Sequence, residues 1–202
     1  EAMGHCEVHP DAIALGAVNT IRFDRDLNRG FNTDGPGFAR AVEDEFRVPF
    51  ASLKVAVIGA GGGAGQAIAT QGCLSGIRKL LVVNRTVAKL GPLVEKLRQI
   101  SPETEIIALS FEGPSLAEQC LDCDLLVNTS SVGLKEGDPS ILPAACLKKE
   151  HLVYDTIYKP PVTPLLAGAN ALGCHTANGL SMLIHQGALA FTLWTGQPAP
   201  LA

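Results

Sequence analysis

The chain has 202 residues, 47% hydrophobic and 18% charged, which suits a globular protein with one full domain and pieces of a second. A formal charge of −4 supplies no basic field, so nucleic acid is not an expected partner. No apolar run approaches the roughly 18 residues of a membrane-spanning helix, so no membrane partner is expected. The first residues, Glu1 to His5, carry neither a basic leader nor an apolar signal segment, and a cytoplasmic location is expected. The chain does not begin with Met and reads as cut from something longer. Six cysteines include one CxxC, Cys120 and Cys123, without a second pair at ligand spacing. Reduced thiols and no metal are the expectation, with His5 and His9 as surface residues.

In chain order, Ala14–Phe23 is strand-like, Asp24 to Asn28 is a polar turn, and Arg29 to Asn32 resumes the strand. This predicts a hairpin or meander from a sheet of its own. A helix is predicted over Phe38–Phe46, stopped near Pro49, as the hinge between two domains. Beyond it, near-continuous apolar runs alternate with helical stretches. The runs are Val55–Ile58, Leu80–Val83, Ile106–Leu109, Leu125–Val127 and Leu152–Tyr154. The helices are predicted near Gln66–Leu74, Ala88–Gln99, Ser115–Cys120 and Thr163–Leu172. Strands apolar on both faces and joined by helices imply right-handed βαβ units, hence an α/β, Rossmann-type doubly wound parallel sheet. The last segment, Gly179–Trp194, has Leu180, Leu183, Ile184, Gly187, Phe191 and Trp194 at helical spacing as one apolar stripe. Gly179, Met182 and Gln186 align along its edge.

The strand Val55–Ile58 runs straight into Gly59-Ala60-Gly61-Gly62-Gly63-Ala64-Gly65 and then a helix. Glycines let the backbone turn sharply and approach a pyrophosphate, and the helix N-terminus offers free N–H groups and a positive dipole end. The preceding strand, the following helix and a second strand about 20 residues on give the context that this motif requires.

The end of that second strand selects the nucleotide. NAD sites usually carry an acid there, which accepts from the ribose 2′-hydroxyl. Here stand Asn84-Arg85-Thr86, followed by Lys89. Arg85 can stack on adenine and pair with a 2′-phosphate, Thr86 can donate a hydroxyl bond, and Lys89 adds charge. The cofactor indicated is NADP.

Taken together, the motifs resemble the shikimate dehydrogenase family, including its quinate/shikimate members, over essentially the whole chain. The likeness is carried by Gly16-Ala17-Val18-Asn19-Thr20, Asn32-Thr33-Asp34-Gly35, the turn from Gly59, and Asn84-Arg85-Thr86. It continues through Val127-Asn128-Thr129-Ser130-Ser131-Val132-Gly133, Asp155-Thr156-Ile157-Tyr158, Thr163-Pro164-Leu165-Leu166, and Gly179-Leu180-Ser181-Met182-Leu183 with Gln186. The resemblance implies an NADP-dependent shikimate dehydrogenase, which reversibly reduces 3-dehydroshikimate to shikimate on the route to chorismate and the aromatic amino acids. It implies that Asn19, Asp34, Tyr158 and Gln186 contact the small-molecule substrate, and that Asp34 works beside a lysine in proton transfer. Gly59, Ala60, Gly61, Gly62, Gly63, Asn84, Arg85, Thr86, Lys89, Thr129, Ser130, Thr156, Gly179 and Met182 would hold the cofactor.

Read this way, residues 1–33 are the C-terminal part of a substrate-binding domain, 34–178 the NADP-binding Rossmann domain, and 179–202 a helix returning to the substrate domain. A homodimer is left open. Two features depart from the family pattern. No lysine precedes Lys54, so the general acid falls outside the polypeptide, which is expected to be weakly active or inactive alone. The turn from Gly59 to Gly65 also holds one glycine more than usual. The competing readings are a quinate/shikimate dehydrogenase, and a non-catalytic dinucleotide-binding module.

Overall fold

The computed structural model describes residues 2–201. Its larger sheet has six parallel strands: β4 (Lys54–Ile58), β5 (Lys79–Val83), β6 (Glu105–Leu109), β7 (Leu125–Asn128), β8 (Leu152–Asp155) and β9 (His175–Asn178). They lie in the order β6-β5-β4-β7-β8-β9. The order reverses between β4 and β7, and a crevice opens there at the C-terminal ends of the strands. In register, Ile58 pairs with Val83 and with Asn128, and Asn128 pairs with Asp155. The residues that come directly after these strand ends therefore share one edge.

Side chains alternate across β4, so Val55 and Val57 enter one core layer while Ala56 and Ile58 enter the other. The first layer is closed by α2 (Asp34–Phe46), α3 (Gly63–Leu74), α4 (Gly91–Ile100) and α7 (Leu180–Thr195). The second is closed by α5 (Leu116–Leu121), α6 (Pro164–Leu172) and a 3-10 turn, Ala144–Cys146. Phe38 is the pivot of the first layer, meeting Phe50 and Tyr154 edge-on at 5.6 and 5.2 Å.

The smaller sheet has three strands in the order β1-β3-β2, with β1 (Glu7–Val8) parallel to β3 (Asn28–Phe31) and β2 (Thr20–Phe23) antiparallel to it. The strand predicted over Ala14–Phe23 begins only at Thr20. Its first part closes α1 (Pro10–Leu15), because Pro10 pre-sets the first turn and Gly16 ends the helix at φ 75°. The helix predicted from Phe38 starts four residues earlier, at Asp34, since Pro36 falls in a first turn that needs no N–H. The polar strand β9 was not foreseen; only Ala177 of its four residues is buried.

The apolar stripe on α7 points outward. Leu180, Leu183, Ile184, Phe191 and Trp194 are all exposed, whereas Met182, His185 and Ala190 face the core. The helix binds the rest of the fold through α2, where Gly37 lets the Gln186 backbone approach, and through His185, whose Nε2 lies 2.9 Å from an Asp44 carboxylate oxygen. The Trp194 indole N–H donates to the Ile21 carbonyl at 3.0 Å and ties α7 to β2. Among the described residues, no helix is long and apolar enough to cross a membrane.

Candidate nucleotide and substrate site

The glycine turn makes its sharp bend at Gly59, at φ 90°, and a Cβ there would press on the Ser130 backbone at 3.0 Å. Ala60 is buried, so it offers only its backbone. Gly62 is the N-cap of α3, and Gly63 opens the helix. The close-packing glycine is Gly65, where a Cβ would lie 2.7 Å from the Gly59 carbonyl, Ala60 and the Thr129 hydroxyl. A Cβ on Gly63 would meet nothing within 4 Å. The surplus glycine of the turn therefore costs the cradle nothing. Gly65, absent from the predicted contacts, supplies the helix–strand approach that the motif needs.

Beside this turn lies a cleft of about 550 Å³, lined by Gly59, Gly61, Asn84, Arg85, Thr86 and Lys89 together with Ser130. The Asn84 amide donates to the Thr86 carbonyl at 3.0 Å and packs against Gly61, so it shapes the turn. Arg85, Thr86 and Lys89 are exposed. Among the described residues, neither Arg85 nor Lys89 has a carboxylate within ion-pair distance. Two free cations and a hydroxyl at the end of β5, with no acid at the strand end, form an anion site. The far wall is Phe111, Glu112 and Ile141, which sequence reasoning missed. They come after strands distant in the chain and have no motif of their own.

A second cleft of about 520 Å³ continues from the first through Ser130 and Ser131. It is bounded by Thr129, Thr156, Ile157, Tyr158 and Lys159. Thr129 and Thr156 donate their hydroxyls to the Ile58 and Asn128 carbonyls at 2.8 and 2.9 Å, fixing the two loop starts. Beneath them Asp155 is wholly buried and fully partnered. Its carboxylate accepts from Asn128 Nδ2 at 3.1 Å, Thr163 Oγ1 at 2.7 Å and the Ile157 N–H at 3.0 Å. Burial still pushes its acidity down, raising its pKa against those hydrogen bonds. Gly179 sits where a Cβ would be 2.0 Å from the Thr156 carbonyl, so backbone runs directly over backbone.

Three of the remaining predicted residues, Asn19, Asp34 and Gln186, come to the start of α2. The Asn19 side chain accepts from the Thr33 N–H at 3.0 Å and donates to the Thr33 hydroxyl at 3.2 Å. The Asp34 N–H donates to Asn32 Oδ1 at 3.0 Å. Thr33 is the N-cap and Asp34 the first helical residue, so Asp34 does not itself cap the helix. Burial raises the Asp34 pKa, opposed by a hydrogen bond from Asn19. Gln186 packs its backbone on Gly37 in the same first turn of α2. Asn19, Asp34 and Gln186 are thus brought to one region, whereas Tyr158 stands exposed in the second cleft. Gln186 and Met182 line neither cleft. Met182 is in the core, its N–H donating to the Tyr154 hydroxyl at 3.1 Å.

A strand order of this kind with a glycine cradle and a cationic strand end defines a dinucleotide-binding protein of Rossmann type. Comparison with known proteins narrows the class. Residues 179–202 match the shikimate 5′-dehydrogenase C-terminal domain. The NADP(+)-dependent shikimate dehydrogenase of Methanopyrus kandleri is 38% identical over 197 residues, covering 96% of this chain and 67% of that protein. The shikimate 5-dehydrogenase of Listeria monocytogenes, solved with shikimate and NAD, superposes with a TM-score of 0.91 at 33% identity, over 98% of this chain and 70% of its own. The Thermus thermophilus enzyme, solved with NADP(H) and shikimate, gives 0.83 at 37% identity, with the same shares. The chain belongs to the shikimate dehydrogenase family.

Proposed function

We propose that the chain is an NADP-dependent oxidoreductase that interconverts 3-dehydroshikimate and shikimate. The observation that carries the cofactor choice is the pair of unpartnered cations, Arg85 and Lys89, beside Thr86 at the end of β5. That group recognises a 2′-phosphate, and an acid in its place would repel one. The cradle fits a dinucleotide, because Gly59, Gly61 and Gly65 stand where a Cβ would fill the space or strike the backbone.

When bound, NADPH supplies the hydride that reduces the ketone. The chain binds and orients the two reactants. The loop after β7 would line the pyrophosphate and nicotinamide ribose, and Tyr158 would close the substrate side. Asn19, Asp34 and Gln186 would hold the hydroxyls of the polyol. Asp34 would handle the proton at the reacting oxygen: it is half-buried, and burial disfavours its charged form and raises its pKa. On this reading residues 1–33 belong to a substrate-binding domain, 34–178 to the dinucleotide domain, and 179–202 return to the former. The reduced, buried thiols of Cys73, Cys120, Cys123, Cys146 and Cys174 suit the cytoplasm. A homodimer would cover the outward apolar side of α7, and light scattering measures it.

The test is to titrate the NADPH-loaded chain with shikimate and monitor amide resonances. Shifts should concentrate at Asn19, Asp34 and Gln186. Saturating shikimate without shifts there would overturn the substrate assignment.

A further inference from the structure

The loop that follows β8 is pinned at two points. The Ile157 N–H donates to Asp155 Oδ1 at 3.0 Å, and the Ile157 carbonyl accepts from the Gly179 N–H at 3.2 Å. Further on, the Pro161 carbonyl accepts from the Asn178 side-chain amide at 3.0 Å. Between these pins stand Tyr158 and Lys159, both exposed and both lining the second cleft. A short loop held on either side presents these two side chains from a fixed backbone.

Three of the hydroxyls in that cleft are already committed to the protein. Thr129 and Thr156 donate theirs to the Ile58 and Asn128 carbonyls, and Ser130 donates its own to Asn128 Oδ1 at 2.8 Å. The Lys159 ammonium is uncommitted: among the described residues it has neither a hydrogen-bond nor an ion-pair partner. It is also the one charged group among the described residues that line the cleft. With no carboxylate there to neutralise it, the ammonium gives the cleft a positive potential and favours an anionic group on the ligand.

The other part of the candidate substrate site has the opposite character. Asn19, Asp34 and Gln186 come together at the start of α2, and their one ionisable group is an acid. A ligand that carries a carboxylate at one end and hydroxyls at the other is therefore oriented by charge. Its anionic end is repelled by Asp34 and attracted by Lys159.

We propose that Lys159 is a substrate-binding residue that pairs with the carboxylate of shikimate and selects the acid over uncharged analogues. The pairing turns the hydroxyl side of the ring toward Asn19, Asp34 and Gln186. This inference rests on the proposed substrate, and the test below separates the two.

The NADPH-loaded chain is titrated with shikimate and with its methyl ester, which keeps the ring and hydroxyls but has no charge. The parent should bind shikimate about fivefold more tightly than the ester, the upper end for an ion pair open to solvent. Lys159→Met should lower shikimate affinity to that of the ester and leave ester affinity unchanged. Lys159→Arg, which keeps the cation, should retain the preference. The melting temperature and the NADPH Kd should be the same in all three chains, because the side chain has no partner in the protein. A parent that binds acid and ester equally would overturn the role of Lys159 and leave the substrate assignment standing. A preference that survives in Lys159→Met would also overturn it. An NADPH Kd raised as much as that for shikimate would assign the ammonium to a cofactor phosphate instead. A parent that binds NADPH but neither shikimate nor the ester would overturn the substrate assignment and this inference together.

Discussion

Asn128 donates one side-chain amide to both oxygens of the Asp155 carboxylate, each at 3.1 Å, and so joins the ends of two adjacent strands below the crevice. The side-chain carbonyl oxygen of the same Asn128 accepts from the Ser130 N–H and hydroxyl at 2.9 and 2.8 Å. One buried amide thereby sets the loops that carry Ser130 on one side and Thr156 on the other. The network is fully satisfied, which is the condition for a buried charge to specify a geometry.

Thr163→Val is the isosteric test of that network. It removes the 2.7 Å donor to Asp155 and the hydroxyl that caps α6 at the Leu166 N–H. Stability should fall by about 1–3 kcal/mol for the unsatisfied carboxylate, with roughly 1 kcal/mol more for the cap. Denaturant unfolding measures it; an unchanged midpoint would mean that the network carries no stability.

Two glycines make a contrasting pair. Gly179→Ala would place a Cβ 2.0 Å from the Thr156 carbonyl, a backbone atom that cannot rotate away. It should destabilise by roughly 1–3 kcal/mol or more and weaken NADPH binding as the loop shifts. Gly63→Ala meets open space at the first position of α3, and should be neutral or stabilising by up to about 1 kcal/mol. Equal melting temperatures for the two variants would contradict this assignment of the turn.

Much of this site was legible because its signals are local. The glycine turn after an apolar strand and the Asn84-Arg85-Thr86 strand end each express their chemistry within a few residues. Three features were not legible for a physical reason. Phe111 and Ile141 meet only through tertiary packing. The polar β9 turns only Ala177 inward, too little for an apolar signal. The stripe on α7 has helical spacing, but spacing alone does not say which face is covered: the core takes Met182, His185 and Ala190 instead.

Asp34 gives a prediction with a sign. Burial raises its folded pKa above the ordinary 3.8, so the folded state holds this proton more tightly than the unfolded chain. Its contribution to stability is then greatest below the ordinary value and is lost as pH rises through the folded pKa. Asp34→Asn removes that loss, so at neutral pH it should melt above the parent, and the difference should close in acid. The same change should weaken shikimate binding to the NADPH-loaded chain about tenfold, through the lost charge-assisted hydrogen bond. A variant less stable at neutral pH, with shikimate affinity intact, would refute both roles.

The most direct measurement is a parallel fluorescence titration of the chain with NADPH and NADH, repeated on Arg85→Asp. NADPH should bind about tenfold or more tightly than NADH, as expected for one charge-assisted pair with the 2′-phosphate, and Arg85→Asp should erase or reverse the preference. Equal affinities in the parent chain, or a preference untouched by Arg85→Asp, would contradict the assignment of the β5 strand end to a 2′-phosphate.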